Sequence, residues 1–327
     1  MKALVTGGTG FLGTHLIEVL LAKGYTVCCL AKDRLHADCF PQDSVELVIG
    51  DVFSHLDWES IFDGVSHVFH LAGLTRACSK QEYVRGNYHA TKHFLEVFRK
   101  HGRSVKKFVY ASSLAVTGPC ENGEPVDEST PSRPISAYGW SKYLAEEEIL
   151  RYREEVPFVI LRPSSVYGPR DRDFLSFMRL VKHGLHLLVG GRETVMSLVH
   201  VRDVANGMVL AAENDNSTGE TYCLGSERAF STGEIAQTLA EVMEVGVPLR
   251  VRVPVFVTYG AACVSQTLGW LLKRPSFLNL QRVKEVVRSP WVCSIAKAQE
   301  QLGYSPEIGL RDGLASTYEW YVRRGCL

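Results

Sequence analysis

The stretch Met1-Lys-Ala-Leu-Val-Thr-Gly-Gly-Thr-Gly-Phe-Leu-Gly-Thr14 decides the fold of this chain. Residues 2–6 have a strand pattern, glycines follow at once, and an apolar helical pattern starts at Phe11. Such a strand–turn–helix unit directs free helix N–H groups and the positive end of a helix dipole at one point. A pyrophosphate fits there, and the turn predicts a dinucleotide-binding site. Its candidate residues are Gly7, Thr9, Gly10, Phe11, Leu12 and Gly13. The other interpretation is a glycine-rich turn without a ligand.

Strand and helix patterns alternate along the first half of the chain. Further strand patterns cover residues 25–31, 45–49, 65–71, 107–111 and 157–161, and a long helix pattern covers 80–101. This alternation predicts an α/β fold with a doubly wound parallel sheet, the Rossmann arrangement. We expect a nucleotide-binding domain at 1–165 and a smaller, partly interleaved substrate-binding region at 166–327. Residues 195–225 are expected to return to the first domain, and the second region is expected to have no core of its own.

Composition narrows the class of protein. The 327 residues contain 36 Lys plus Arg and 36 Asp plus Glu, so no basic field favours nucleic acid. Nine cysteines without a Cys-x-x-Cys spacing favour a reducing compartment over disulfides or a metal site. Because a strand pattern begins at residue 2, no signal peptide is expected and the protein is predicted to be cytoplasmic.

One long segment, residues 253–272, carries no charge and is interrupted by prolines, glycines and polar residues. We interpret it as a buried or lid helix. A less favoured alternative is that this segment anchors the protein at a membrane surface. A true membrane span is not expected, because the apolar run is broken at several positions.

The residues after the second strand bear on the choice of cofactor. That strand ends at Ala31, where a carboxylate would accept from a ribose 2′-hydroxyl, and Lys32, Asp33 and Arg34 follow. A cation suits a 2′-phosphate, which favours NADP(H) over NAD(H), although Asp33 could reach a ribose and the loop could simply be solvated. Asp51, at the end of the third strand, could bind the adenine amino group or cap the next helix.

Tyr138 and Lys142 are the candidate reacting groups. They are four residues apart and share one helix face, and Ser113 ends the strand before them. An ammonium about 4 Å from a phenol supplies roughly 4 kcal/mol, enough to lower a tyrosine pKa by about three units. This arrangement suits hydride transfer between a nicotinamide and a carbinol or carbonyl carbon, with the tyrosine exchanging the proton. The alternative is that both are ordinary surface residues of a helix.

These motifs resemble those of the extended short-chain dehydrogenase/reductase family, the NAD-dependent epimerase/dehydratase superfamily, along almost the whole chain. The matching segments are Thr6-Gly-Gly-Thr-Gly-Phe-Leu-Gly13, Gly50-Asp51-Val52, His70-Leu-Ala-Gly73, Tyr138-x-x-x-Lys142, Arg162-Pro163-x-x-Val-Tyr-Gly-Pro169 and His200-Val-Arg-Asp-Val-Ala205.

The resemblance implies roles for particular residues. Tyr138 would be the general acid/base. Lys142 would lower the pKa of Tyr138 and bind the cofactor ribose, and Ser113 would form a hydrogen bond with the substrate oxygen. Ser113 is preferred to Ser112 because it lies five residues before Gly118, the usual interval in the family. Further implied cofactor contacts are Lys32, Asp51, Val52, Leu71, Ala72, Gly73, Pro163 and Val166. A homodimer through the helices at 80–101 and 138–154 is also implied.

Departures from sub-family patterns favour an apolar substrate. Dehydratases have Thr-Asp-Glu where this chain has Ser113-Leu-Ala115, so water elimination lacks its acid and base. Many sugar-nucleotide epimerases have an arginine near Met196 and an asparagine at the position of Ser165, both absent here. Segments 24–27 and 197–201, together with Lys32, resemble dihydroflavonol reductases and 3β-hydroxysteroid dehydrogenases.

We therefore expect an NAD(P)-dependent oxidoreductase that acts on a secondary alcohol or ketone of a fairly apolar small molecule. The first alternative is an NAD-dependent nucleotide-sugar epimerase. The second is a non-catalytic NADP(H)-binding sensor.

Overall fold

The computed structural model describes residues 1–32, 44–120, 123–272, 276, 278–288 and 290–327. The strands in the described part are β1 (Lys2–Thr6), β2 (Thr26–Ala31), β3 (Val45–Ile49), β4 (Val65–His70), β5 (Lys107–Ala111), β6 (Phe158–Pro163), β7 (Ser165–Tyr167), β8 (Leu185–Val189), β9 (Val195–His200), β10 (Thr221–Leu224), β11 (Ala229–Ser231) and β12 (Leu249–Val253). The helices are α1 (Phe11–Ala22), α2 (Trp58–Phe62), α3 (Lys80–Tyr83), α4 (Ala90–His101), α5 (Ala137–Arg151), α6 (Arg172–Lys182), α7 (Val201–Glu213), α8 (Thr232–Val242), α9 (Val255–Leu271), α10 (Leu280–Val287), α11 (Ala296–Leu302) and α12 (Leu310–Arg323).

A seven-stranded sheet with the order β10-β6-β5-β4-β1-β2-β3 forms the centre of the molecule. All its neighbouring strands run parallel. The strand order reverses between β1 and β4, which opens a crevice at the carboxyl ends of these strands. The prediction of a doubly wound parallel α/β sheet is confirmed.

Helices cover both faces of this sheet, because successive strand residues point to opposite sides. Ala3 and Val5 of β1 join one apolar cluster with α1, α7 and α11, whereas Leu4 joins the other with α2, α4 and α5. Such two-sided burial is typical of a parallel sheet and explains the continuous apolar runs in the strand sequences.

The second half of the chain adds a three-stranded sheet, β11-β9-β7, and a parallel pair, β12-β8. Apolar side chains of α6, α8 and α12, among them Met178, Leu239 and Leu314, form a third buried cluster with Tyr167 and Phe230. The expectation that this region has no core of its own is therefore wrong. Its helices present apolar faces to one another as well as to the three-stranded sheet. The position of the domain boundary stays a prediction.

The predicted helix over 80–101 is interrupted. Residues 84–89 form a π-helical turn between α3 and α4. A π turn adds one residue to the helical register, and such turns are frequent at functional sites. Here the extra residue lets Asn87 turn inward, where its side chain is fully buried.

Most of the uncharged segment 253–272 forms α9. Of the two interpretations given for it, the buried helix is wrong, and the lid helix stays a prediction. Only Thr258 and Ala262 of this helix are buried, whereas Phe256 is 77% exposed and Trp270 is 72% exposed. Among the described residues, no helix has both the length and the apolar character that a membrane crossing requires.

Candidate active site

The glycine turn after β1 is packed so tightly that side chains would not fit. Gly7 has a φ of +73°, and a Cβ added to it would lie 2.6 Å from the Ala72 nitrogen. A Cβ on Gly13 would lie 2.2 Å from the Gly7 carbonyl oxygen. The turn closes with a 3.0 Å hydrogen bond from the Gly10 N–H to the Gly7 carbonyl. Glycine is thus required where the turn meets α1 and the chain that follows β4.

The end of β4 is fixed to the end of β1. The Leu71 N–H donates to the Thr6 carbonyl at 3.0 Å, and the Ala72 N–H lies 3.3 Å from the Thr6 hydroxyl. His70 is fully buried, with Nδ1 2.7 Å from the Thr6 hydroxyl and Nε2 3.0 Å from that of Thr91. Burial lowers the pKa of His70 to about 3, so the ring is neutral. It is a core histidine that orders the strand ends.

Lys142 reaches this same edge of the sheet from α5. Its Nζ donates to the Ala111 carbonyl at 2.7 Å, and a Cβ added to Gly73 would lie 3.4 Å from Nζ. The structure therefore brings together the predicted residues Gly73 and Lys142. Burial lowers the pKa of Lys142 to about 8, while the nearby Glu146 carboxylate acts in the opposite direction.

Tyr138 lies in the first turn of α5, which begins because the Ser136 hydroxyl accepts from the Gly139 N–H at 3.1 Å. Tyr138 is partly buried, and its hydroxyl forms a hydrogen bond with Ser113. Its ring centre lies 6.1 Å from that of Tyr83. Tyr138 and Ser113, predicted to act together, are thus in contact.

The expectation that Lys142 lowers the pKa of Tyr138 is wrong for the protein alone. Burial raises the pKa of Tyr138 to about 12, and the hydrogen bond with Ser113 offsets this only in part. The physical reason is that the Lys142 ammonium is directed at the Ala111 carbonyl and is itself disfavoured by burial.

A buried ion pair behind Lys142 was not anticipated from the sequence. Glu146, one helical turn after Lys142, accepts from Arg162 of β6, with distances of 3.0 Å from Nε and 2.7 Å from Nη2. The Ser112 hydroxyl also donates to Glu146. The i, i+4 spacing of Lys142 and Glu146 on a helix that carries the candidate tyrosine was the available signal.

Asn87 is a second residue that the sequence analysis did not single out. Its Oδ1 accepts from the Leu74 N–H at 2.6 Å, and its Nδ2 donates to the Ser141 hydroxyl at 2.7 Å. It therefore joins the loop after β4 to α5, next to Gly73 and Lys142.

The other predicted cofactor contacts lie around the same crevice or beside it. Lys32 is exposed at the end of β2, whereas Asp33 and Arg34 lie outside the described residues. Asp51 Oδ1 accepts from the Phe53 N–H at 3.0 Å, so it caps the following turn. Val52 is a core residue.

Two predicted contacts come from the region around β6 and β7. Pro163 pairs with Leu224 in the large sheet, and Val166 is partly buried in β7. Pro163 is the last residue of β6, the strand that carries Arg162, and Val166 comes just after that strand. Both therefore lie on the side of the crevice opposite the end of β2.

A cavity of about 450 Å³ opens beside these groups, lined among others by Tyr83, Ala137, Trp140, Gln266 and Trp270. It lies between α3, the start of α5 and the α9–α10 segment. Since Tyr83 contacts Tyr138, the cavity adjoins the candidate reacting groups.

Arginines converge close to this cavity. Arg76 and Arg282 both pair with Asp173 of α6, the latter at 2.9 Å. Two other arginines of this half of the chain have partners elsewhere. Arg170 pairs with Glu18 at 2.9 Å, and Arg179 donates to the backbone carbonyl of Cys326.

A family model described as the NAD dependent epimerase/dehydratase family matches residues 3–225. The chain belongs to this family. The observed sheet, the glycine turn and the Tyr138–Lys142 helix are thus features of a protein of the NAD-dependent epimerase/dehydratase family, whose name states its cofactor.

Relatives within this family have different activities. The chain is 27% identical to a ceramide reductase of Caulobacter vibrioides, over 99% of this chain and 95% of that one. It is 25% identical to a mouse sterol-4-alpha-carboxylate 3-dehydrogenase, over 97% and 90% of the two chains. It is 27% identical to the UDP-glucose epimerase YtcB of Bacillus subtilis, whose name marks it as uncharacterized, over 97% and 96%.

A solved structure shares the whole fold. The structure of MoeE5 in complex with UDP-glucose and NAD is 27% identical in sequence to this chain and has a TM-score of 0.78. The match covers 100% of both chains. Reductases, dehydrogenases and proteins that bind UDP-sugars therefore all occur among the relatives.

Proposed function

We propose that the protein is an NAD(P)-dependent oxidoreductase that interconverts a secondary alcohol and a ketone of a fairly apolar small molecule. The observation that carries this proposal is the meeting of Ser113, the Tyr138 hydroxyl and Lys142 at the crevice beside the glycine turn. The presence of all three residues, Ser113, Tyr138 and Lys142, also argues against a sensor that has lost catalysis.

The glycine turn fits a dinucleotide. Without side chains, Gly7 packs directly against Ala72, and Gly13 packs against the turn itself. The turn therefore leads straight into α1, whose first N–H groups and dipole favour a pyrophosphate. When bound, a nicotinamide dinucleotide supplies or accepts the hydride. We assign its phosphates to the turn and a ribose hydroxyl to Lys142, next to Gly73.

The chain's own residues handle the proton. In reduction, the Ser113 hydroxyl donates a hydrogen bond to the carbonyl oxygen, and Tyr138 transfers its phenolic proton to that oxygen as the alcohol forms. In oxidation, the phenolate takes the proton back. Because burial raises the pKa of Tyr138 to about 12, its protonated form predominates at neutral pH in the protein alone, which suits the reductive direction.

The chain lacks the acid pair of the dehydratases at Leu114 and Ala115, which argues against water elimination. Two observations support an apolar substrate. The cavity beside Tyr83 includes the aromatic side chains of Trp140 and Trp270, in a lining that also has polar side chains such as that of Gln281. Two of the relatives are named for ceramide and sterol substrates, which are largely apolar molecules.

A nucleotide-sugar epimerase is the second candidate. The convergence of Arg76 and Arg282 near the cavity favours it, because arginines bind a diphosphate through charge-assisted hydrogen bonds. Asp173 already neutralises part of this charge, which is why we place the oxidoreductase first. Purified epimerase would carry its cofactor and consume none during turnover.

The test is a titration of the purified protein with NADPH and NADH by nucleotide fluorescence, followed by turnover with a panel of apolar ketones. We expect tighter binding of NADPH, on the basis of Lys32. Tyr138→Phe should lower kcat by about 10²–10⁴-fold and leave cofactor binding nearly unchanged. Tyr143→Phe, on the same helix, is the matched control.

Full turnover by Tyr138→Phe would refute the mechanism. Cofactor binding without turnover on any ketone, alcohol or UDP-sugar would favour the sensor. We further propose a cytoplasmic homodimer that associates through α4 and α5. Light scattering of the purified protein tests its mass.

A further inference from the structure

The helix α9 has its apolar and polar sides reversed relative to an ordinary surface helix. Its outer face, defined by Val257, Val264, Leu268 and Leu271, has spacings of seven, four and three residues, which place these side chains in one stripe. The four are 45%, 62%, 53% and 71% exposed.

The face of α9 that packs on the protein is made of small and polar residues. Thr258 and Ala262 are buried there, and Gln266 Oε1 accepts from the Leu280 N–H of α10 at 3.2 Å. A helix that turns polar groups inward and a leucine–valine stripe outward is expected to have an apolar partner.

The charged residues near α9 in sequence indicate which kind of partner its outer face has. Between Glu244 and Glu285 the sequence has no acidic residue, but it has six cations: Arg250, Arg252, Lys273, Arg274, Arg282 and Lys284. Among the described cations of this stretch, Arg250 pairs with Glu193 and Arg282 with Asp173. Counted along the sequence, the stretch that contains α9 therefore has an excess of positive charge.

Aromatic residues stand near both ends of the helix. Phe256 in the first turn and Trp270 in the last are among the most exposed apolar side chains of the described residues. Exposed aromatic rings, an apolar helix face and flanking cations together are typical of helices that lie in the headgroup region of a bilayer. A second copy of the chain fits less well, because a two-fold contact would bring the same cations together.

We propose that the outer face of α9 docks on the surface of an anionic phospholipid bilayer, with the helix axis parallel to the membrane. The leucine and valine side chains enter the acyl boundary, and the cations contact lipid phosphates. This takes up the less favoured alternative of a membrane-surface anchor; the helix lies on the bilayer and does not span it.

Docking in this way would bring the cavity to the membrane. Gln266, Gly269 and Trp270 of α9 line the same cavity as Tyr83, which contacts Tyr138. An apolar ketone dissolved in the bilayer could then enter without crossing water. This consequence rests on the proposed function, whereas the docking itself does not.

The test is flotation of the full-length protein with two kinds of vesicle, pure phosphatidylcholine and phosphatidylcholine mixed with phosphatidylglycerol. We expect binding to the anionic vesicles, weaker binding at high salt, and much weaker binding to the neutral ones. Removal of one cation, Arg252→Gln, should reduce the partition coefficient about fivefold, and the exposed Arg153→Gln should not change it.

The decisive variant is Val264→Glu with Leu268→Glu. It should reduce the partition coefficient tenfold or more, because two apolar side chains that would enter the acyl boundary are replaced by carboxylates. Val322→Glu, at a similarly exposed site of α12, is the matched control. Circular dichroism and cofactor binding report that each variant is folded.

Three results would overturn the proposal. They are failure of the wild-type protein to bind anionic vesicles, equal binding to neutral vesicles, and unchanged binding of the Val264/Leu268 variant. A wild-type dimer that this variant converts to a monomer, without vesicle binding, would assign the face to a second copy. Ketone turnover is not part of this readout, so loss of the proposed function would leave the vesicle result interpretable.

Discussion

Substitution of Glu146 by glutamine should destabilise the protein strongly, although this residue contacts no substrate. Glu146 holds the Arg162 guanidinium through two bonds of 3.0 and 2.7 Å, and both side chains are buried. The Arg162 Nη1 atom already has no hydrogen-bond partner in the described part of the chain. Loss of the carboxylate would leave a buried, uncompensated cation, at a cost of about 3–5 kcal/mol.

Urea unfolding followed by tryptophan fluorescence at neutral pH measures this cost. Since domains of this kind are stable by only about 5–15 kcal/mol, the midpoint should fall markedly. The double variant Glu146→Leu/Arg162→Met removes both charges and should lose less stability than Glu146→Gln alone. Glu147→Gln, at the exposed neighbouring position, should behave as the wild type.

The variant Glu146→Gln should also change the pH dependence of activity. The Glu146 carboxylate raises the pKa of Lys142 against the effect of burial, which brings that pKa to about 8. Without the carboxylate the Lys142 pKa should fall, and the alkaline limb of kcat/KM should move to lower pH. The reasoning would be refuted if the double variant were at least as unstable as Glu146→Gln. It would also be refuted if the alkaline limb of kcat/KM did not move in Glu146→Gln.

Two further predictions follow from the glycine turn and from Lys142. Gly7→Ala should abolish nucleotide binding in a fluorescence titration, because the added Cβ would overlap Ala72. The control is Gly64→Ala, which is also at positive φ but has no atom within 4 Å of the added Cβ. It should lower the free energy of unfolding by about 1 kcal/mol and bind the nucleotide normally. The pKa of Lys142 is about 8 in the folded protein and roughly 10.4 in the unfolded chain. Between these two pH values the unfolded chain therefore binds more protons than the folded protein. The free energy of unfolding should therefore rise by up to about 3 kcal/mol from pH 8 to pH 10.4, and Lys142→Met should remove this rise. Equal pH dependence in both proteins would contradict it.

The fold was largely predictable because its signals are local. The glycine turn, the strand patterns and the capping residue Ser231, whose hydroxyl accepts from the Glu234 N–H at 3.1 Å, depend on neighbours in sequence. Interruption of the helix at residues 84–89 was not predictable, because Asn87 is drawn inward by Leu74 and Ser141, which are distant in sequence.

The candidate site was predictable as a set of residues but not as an electrostatic arrangement. The four-residue spacing of Tyr138 and Lys142 fixes a shared helix face, yet it does not specify where the ammonium points. The Ala111 carbonyl, on a strand thirty-one positions earlier, decides that direction. Likewise, hydropathy could not decide between a buried helix and a lid helix for α9. It reports which environment a side chain prefers, and not which side of the helix packs on the protein.

The placement of β10 has a consequence for synthesis of the chain on the ribosome. This strand completes the edge of the large sheet beside β6, but roughly 60 residues separate the two, which corresponds to about 3–12 s of translation. During that interval the free edge of β6 exposes unpaired backbone groups between apolar side chains, a pattern prone to intermolecular pairing. We therefore expect the nascent first half to need protection by a chaperone until its last strand emerges.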